Sequence, residues 1–398
     1  MLKVFTAITK EVDDNRAAIK EILERLNLKE NMKKNTVGIV HYFYEYEESG
    51  ALQELVEALP FKIVGSVSTF LASNGDYGDT ALTLTMLTSD DVDFEIFTIS
   101  DLNNKNYEEI TAEVKTLCGS MTEKEVPKVA LTLLPPLKHY SADDLVETVN
   151  ELPVTIPLYG TLSHHLGQND FEGHLLVNGK ARPDSLIFVA IYGDVTPKYH
   201  VTTAFAFDDS FIQDAVITDS DGPTLKTVNG ITALEFLRQN QMLNSENNVV
   251  SSTIWVVPAI LTLPNGLKIV RAFISMVDGT EYIFATGALP TGAKIKFAIM
   301  DGEKTLSSAE QLVKDLCSLK ENDIIAYSCG ARAWSLGVNH TGEAKIIDET
   351  SKKYCQCPGS SLNYTIAYAG GEICPILDNT GKLINALHNY TLIACSFN

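Results

Sequence analysis

A mixed α/β fold of two domains is the reading that three features of this chain support. Stretches rich in β-branched and aromatic residues alternate with amphipathic stretches along nearly the whole sequence. A strand–helix–strand order occurs twice in the first half. The turn-forming run Gly193-Asp194-Val195-Thr196-Pro197 then interrupts the pattern. At 398 residues the chain is too long for one ordinary domain. Residues 1–35 are expected to supply a strand and a helix leading into a first domain over 36–195, with a second over 196–398.

Each element has its own local reason. Arg16 to Leu28 places Ala17, Ile19, Ile22, Leu23, Leu26 and Leu28 at near-helical spacing. Thr36 to Phe43 is β-branched and aromatic and reads as a strand. Ser49 is expected to start a helix that Pro60 stops after Leu59, and Phe61 to Val67 returns as a strand ending in small residues. Strands Ala81–Leu87 and Asp93–Ile99 follow. The order then repeats, with helix Tyr107–Leu117, strand Val129–Leu134, helix Ser141–Leu152 before Pro153, strand Ile156–Tyr159 and strand Ser185–Tyr192. The matched serine starts, proline stops and small-residue turns mark an internal duplication in the N-terminal half.

Beyond the break, Val201–Phe207 and Leu225–Val228 read as strands and Ala233–Asn240 as a helix. Pro258, Pro264 and Gly266 punctuate further strands. Helix Ser308–Leu319 precedes strand Ile324–Ser328, and the last strands are Tyr364–Tyr368 and Tyr390–Phe397. Too many strands follow one another without a helix for a plain doubly wound sheet.

Composition narrows the function. Apolar residues make up 45% and charged residues 21%, enough to build a core. Lys plus Arg number 31 and Asp plus Glu 51, a formal charge of −20. That field repels phosphate backbones and anionic lipid, so neither nucleic acid nor membrane is an expected partner. The first residues do not resemble a signal peptide, and no run of about 18 apolar residues occurs. Six of the seven cysteines lie from Cys317 onward; in a long cytoplasmic chain reduced thiols are the simpler expectation.

No Walker loop, GxGxxG, GxSxG, HExxH or CxxC pair is present. Three C-terminal motifs carry the available chemistry. Ser328-Cys329-Gly330-Ala331-Arg332 follows an apolar strand, where groups emerge toward a ligand; Gly330 permits close approach and Arg332 offers a planar fork for a carboxylate. The plain alternative is a solvated arginine beside a buried thiol. Gly370-Gly371-Glu372 would expose amide donors and one acid, or simply turn the chain. Leu387-His388-Asn389-Tyr390-Thr391 is expected to open the last strand with neutral hydrogen-bonding groups, or to hold a structural histidine. His164-His165 is a loop pair of weak metal character. Cys355, Cys357 and Cys374 lack the spacing of a zinc knuckle, so no metal is expected.

Taken together and in order, Tyr327–Arg332, Gly371-Glu372-Ile373 with Pro375, and His388–Leu392 resemble the C-terminal half of FIST (F-box and intracellular signal transduction) proteins. Gly65-Ser66-Val67-Ser68-Thr69, Tyr159-Gly160-Thr161 and Asp194 agree upstream, so the resemblance runs from about Thr36 to Phe397. It implies a cytoplasmic, non-enzymatic sensory module that binds a small ligand such as an amino acid. The chain leaves no room for a fused kinase, cyclase or methyl-accepting output, which implies a separate signalling partner. Two departures stand out: one glycine and His164-His165 where the family more often has paired small residues and an acid, and no cysteine in the first turn.

The candidate ligand-binding set is therefore Cys329, Arg332, Gly371, Glu372, His388, Asn389 and Thr391, with Gly65, Ser66 and Gly160 from the first half. Arg332 would pair with a ligand carboxylate and Glu372 with its ammonium, each charge-assisted bond contributing roughly 1.5–3 kcal/mol. Arg332→Ala is expected to abolish anion binding without unfolding the chain. No cofactor is required, although haem held by His388 is an alternative for a gas-sensing member. A cysteine-dependent enzyme using Cys329, with His388 as base, is another, and an adaptor without a ligand is a further one.

Overall fold

The structure, a computed structural model, describes residues 1–135, 137, 140–163, 174–205, 215–242, 257–277, 279–355 and 362–397. His164, His165 and Cys357 lie outside the described residues.

The chain builds one pairing scheme three times. The first module runs β1 (Lys3–Thr9), α1 (Asn15–Leu26), β2 (Asn35–Tyr42), α2 (Ala51–Ala58), β3 (Lys62–Val67), the hairpin β4 (Leu71–Ser73) and β5 (Asp76–Gly78), and β6 (Leu82–Ser89). The second runs β7 (Asp93–Ile99), α3 (Tyr107–Thr122), β8 (Val129–Leu134), α4 (Ala142–Asn150), β9 (Leu158–Leu162), the hairpin β10 (Leu175–Val177) and β11 (Lys180–Ala181), and β12 (Leu186–Tyr192). The third opens with β13 (Pro197–Thr203). An inserted unit then intervenes: β14 (Ala215–Asp221), β15 (Thr224–Val228), β16 (Ile231–Thr232), α5 (Ala233–Gln239), β17 (Ala259–Thr262), β18 (Lys268–Arg271), β19 (Phe273–Met276), β20 (Ile283–Ala285) and β21 (Lys294–Phe297). The module resumes with α6 (Gly302–Ser318), β22 (Asp323–Cys329), α7 (Gly330–Ser335), α8 (Gly342–Tyr354), β23 (Asn363–Ala369), the hairpin β24 (Glu372–Leu377) and β25 (Leu383–His388), and β26 (Thr391–Phe397).

In every module the two strands that flank a helix pair in parallel: β2 with β3, β8 with β9, and β22 with β23. The last and first strands of the module add antiparallel on one side, giving β1-β6-β2-β3, β7-β12-β8-β9 and β13-β26-β22-β23. The fifth strand always comes from the next module round. β10 of the second pairs with β3, β24 of the third with β9, and β4 of the first with β23. The exchange of hairpins closes a ring of three. The duplication seen in the N-terminal half is thus part of a triplication whose third copy is split by the inserted unit.

Strand alternation explains how the modules pack. Ile39, Leu131 and Ile325 are inward residues of β2, β8 and β22, and all three belong to one central core. The opposite faces are covered by helices: Val40 and Tyr42 under α1 and α2, Ala130 and Leu134 under α3 and α4, and Ala326 under α6 and α8. Each fully buried Leu, Ile or Val contributes roughly 1.5–3 kcal/mol relative to exposure. The inserted unit has its own core, including Ile217, Leu225, Phe236, Leu261 and Phe297.

Several expected boundaries shift for local reasons. The second helix begins at Ala51 because Gly50, with φ 78°, precedes it in the left-handed region, whereas Ser141 does cap α4 in a reciprocal box with Asp144. The strand expected over Val201–Phe207 is β13, over Pro197–Thr203, paired with β26. The helix expected from Ser308 starts at Gly302, where the Asp301 side chain accepts from the Glu303 N–H.

Gly65-Ser66 lie in β3, within the strand expected over Phe61–Val67, whereas Gly160-Thr161 lie inside β9, beyond the strand end expected at Tyr159. A Cβ on Gly65 would stand 2.0 Å from the Val40 carbonyl oxygen, and one on Gly160 1.8 Å from that of Thr132. These glycines let parallel neighbours approach. Finally, Cys317 and Cys355 are joined in a disulfide, which corrects the expectation that all thiols are reduced and removes Cys355 from any thiolate cluster.

Candidate functional site

The site forms where β22 ends. That strand carries Ser328 and Cys329, and α7 starts at once, placing Arg332 in its first turns. Arg332 is fully buried. Its Nε donates to Glu343 Oε1 at 2.8 Å and its Nη2 to the same oxygen at 2.5 Å. Nη2 also reaches Ser308 Oγ at 2.8 Å and the Thr305 carbonyl at 3.2 Å. Glu343, the second residue of α8, is equally buried, and its Oε2 accepts from the Ser328 hydroxyl at 2.6 Å. The arginine is therefore neither solvated nor wholly open to a ligand. An internal carboxylate holds most of its fork, and Nη1 alone is left buried without a partner.

Glu372 enters from the exchanged hairpin as the first residue of β24. It too is fully buried. Its Oε2 accepts from the Thr391 hydroxyl at 2.7 Å, while Oε1 has no partner. Burial raises its pKa well above the ordinary carboxylate value; the Thr391 hydrogen bonds and the Arg332 charge oppose that shift, and Glu343 adds to it. The carboxyl therefore keeps its proton to higher pH than an ordinary carboxylate does. Arg332 and Glu372 act on each other electrostatically, and each presents one unsatisfied polar atom.

The remaining candidates divide. Cys329 belongs to the cluster, but burial and the neighbouring Glu372 push its thiol upward, opposite to what a nucleophile needs. The Gly371 carbonyl accepts from the Leu162 N–H at 2.9 Å and the Thr161 hydroxyl at 3.1 Å, so it anchors the hairpin. Asn389 accepts from the Thr286 hydroxyl at 2.7 Å and braces the inserted unit. His388 closes β25 rather than opening the last strand; Tyr390, at φ 61°, makes the turn. His388 Nε2 lies 3.1 Å from the Cys374 carbonyl, so that nitrogen carries the hydrogen and offers no lone pair to a haem iron. Burial, with Arg271 nearby, lowers its pKa to about 4.

Ser66 bonds His41 at 3.0 Å in the central core, and Gly65 and Gly160 serve strand packing. Among the described residues no group of three or more His, Cys, Asp and Glu could hold a metal, and no helix is long and apolar enough to cross a membrane.

The first module reaches the site through Ser68. Its hydroxyl donates to the Tyr368 carbonyl at 2.8 Å and accepts from the Tyr368 N–H at 3.1 Å. The Tyr368 ring packs edge-on against Phe70 at 5.7 Å, and its phenol feels the Glu343 charge. A shallow hollow lined by Phe70, Tyr77, Asp79, His340, Ala344 and Tyr368 lies on the outer side of that ring.

Sequence reasoning missed Glu343, Ser308, Thr305 and Tyr368. It also missed a second buried pair, in which Arg271 Nη2 meets Asp143 Oδ1 at 2.5 Å and ties the inserted unit to α4. Glu343 lies in a stretch rich in Lys and Glu, where nothing distinguishes it from surface acids.

The family model of the FIST N domain matches residues 36–231, and that of the FIST C domain matches residues 233–375. Arg332, Glu343 and Glu372 fall within the second match; His388, Asn389 and Thr391 lie beyond its end. No curated protein matches the chain.

Proposed function

Because this chain belongs to the FIST family, whose domains are sensory and signalling modules, we propose that it is an intracellular sensor that binds a small zwitterion such as an amino acid and passes the event to a separate signalling partner. One observation carries the ligand part: Arg332 Nη1 and Glu372 Oε1 are both fully buried without partners, while every other polar atom of the two side chains is engaged. Leaving a buried polar group unpaired costs about 1–3 kcal/mol, and more where charge is involved. A guest whose carboxylate meets Nη1 and whose ammonium meets Oε1 removes both penalties together. Arg332 and Glu343 neutralise each other and a zwitterion carries no net charge, so the filled site keeps the single negative charge of Glu372 once that group gives up its proton, and the ligand ammonium lies against it.

The reading is non-enzymatic. Cys329 is held as a thiol, and no hydrogen bond links it to His388 among the described residues. Arg332→Ala is a poor test, because it strands Glu343 in the interior. Glu372→Gln is better, since the neutral amide resembles the resting carboxyl in size. The experiment is a thermal-shift screen of the twenty amino acids followed by calorimetry. A ligand that stabilises the wild type and loses at least about tenfold in affinity in Glu372→Gln supports the proposal. Equal affinity in both proteins defeats it.

A further inference from the structure

We infer that Cys317 and Cys355 form a thiol–disulfide control point for the Arg332 site. Their disulfide spans 38 residues and joins the last turns of α6 to the C-terminal cap of α8. Those are the two helices that hold Arg332. Helix α6 supplies the Thr305 carbonyl and the Ser308 hydroxyl, and α8 supplies Glu343. At helical rise, Ser308 and Cys317 are about 13 Å apart along α6, and Glu343 and Cys355 about 18 Å apart along α8. The arginine sits between the N-terminal ends of the pair, and the covalent tie closes its C-terminal ends.

Among the described residues the chemistry is selective: Cys118, Cys329, Cys374 and Cys395 are buried free thiols, whereas Cys317 and Cys355 are both partly exposed. A thiolate of an external dithiol attacks one sulfur, the Cys317–Cys355 bond breaks, and a mixed disulfide forms on that sulfur. The second thiol of the reagent then resolves it. The protein gains two thiols, the reagent leaves as a disulfide, and two electrons pass from reagent to protein.

After reduction α8 keeps the Lys314 ammonium 5.3 Å from the Tyr354 ring and the burial of Ile347 against α6. Both contacts are non-covalent. Helix α8 then opens more often, and each opening withdraws Glu343 from Arg332. This deepens the ligand reading, since the atom left for a guest is Arg332 Nη1, whose position depends on Glu343.

The test needs no ligand. Native protein is treated with excess dithiothreitol, alkylated and mapped by mass spectrometry, while amide exchange is followed over Gly342–Tyr354. In parallel, NMR follows the Arg332 Nε–H, assigned by its loss in Arg332→Lys. We expect alkylation at Cys317 and Cys355 without unfolding, together with at least about tenfold faster exchange along α8 and at the Arg332 Nε–H. The Cys317→Ser/Cys355→Ser variant should match the reduced protein without reductant. A bond that resists reduction in the folded state, or exchange that is unchanged after reduction, overturns the inference. Faster exchange with a negative amino-acid screen keeps the control point and discards the zwitterion; a positive screen with unchanged exchange does the reverse.

Discussion

Glu343 Oε1 accepts from both Nε and Nη2 of Arg332, at 2.8 and 2.5 Å, with both side chains fully out of water. Removing one partner of such a pair leaves the other charge desolvated, at a cost of roughly 3–5 kcal/mol. We predict losses of that order for Arg332→Met and for Glu343→Leu. The double variant should recover much of the loss, because two apolar chains need no partner. Urea denaturation of the four proteins measures the cycle, and additive losses would show that the two side chains are not coupled in this way.

The raised pKa of Glu372 makes ligand binding depend on pH. Burial keeps the carboxyl protonated above the ordinary carboxylate range before a guest arrives. Binding an ammonium ionises it, and a proton is released. Affinity should therefore rise with pH, by up to about tenfold per unit, until pH passes the unliganded pKa. Stability without ligand runs the other way: above pH 4.5 the unfolded carboxyl is ionised while the folded one keeps its proton, so this group's contribution falls as pH rises. Glu372→Gln should remove both slopes. Calorimetry in buffers of different ionisation heat, with melting curves from pH 5 to 8, checks them.

The motif Ser328–Arg332 could be picked out in the sequence because a thiol, a glycine and an arginine follow an apolar strand. What Arg332 touches could not. Its partner lies 11 residues on, in a helix whose acids look alike on paper. Strand β24 carries Pro375, a residue that argues against a strand, yet the hairpin tolerates it. Gly160-Thr161 imitates a turn, since small residues mark turns and close strand approach equally well. The repeated helix–strand units were visible as local patterns. The cyclic exchange of β4, β10 and β24 was not, because pairing between remote strands leaves no local periodicity.

His41 sits in the central core, its ring 5.4 Å from that of Tyr327, with Nδ1 on the Ser66 hydroxyl. Burial lowers its pKa from 6.5 to about 4, so the folded protein keeps the imidazole neutral. The unfolded chain protonates it below pH 6.5. Between pH 6.5 and 4 the unfolded state thus binds more protons, and stability falls with falling pH. For His41 the loss over that window is roughly 3 kcal/mol. His388, shifted the same way, adds to the effect. We expect His41→Gln to flatten the acid limb of a stability–pH profile relative to wild type; a parallel limb would mean that His41 does not titrate on unfolding.

Two glycines of the second module should respond in opposite directions to the same substitution. At Gly160 a methyl group would meet the Thr132 carbonyl at 1.8 Å, and that atom is backbone in a paired parallel strand. It cannot yield without moving β8 against β12, or β9 against the exchanged β24. Gly160→Ala should therefore cost about 3 kcal/mol or more, and the strain should spread to the Gly371–Glu372 junction. At Gly119, exposed near the end of α3, a methyl group would meet nothing within 4 Å. There the substitution only narrows the unfolded ensemble and favours the helix, so Gly119→Ala should stabilise by about 0.5–1 kcal/mol. Chemical denaturation of both variants decides the point, and a mild effect at Gly160 would mean that the strands can part more easily than their register implies.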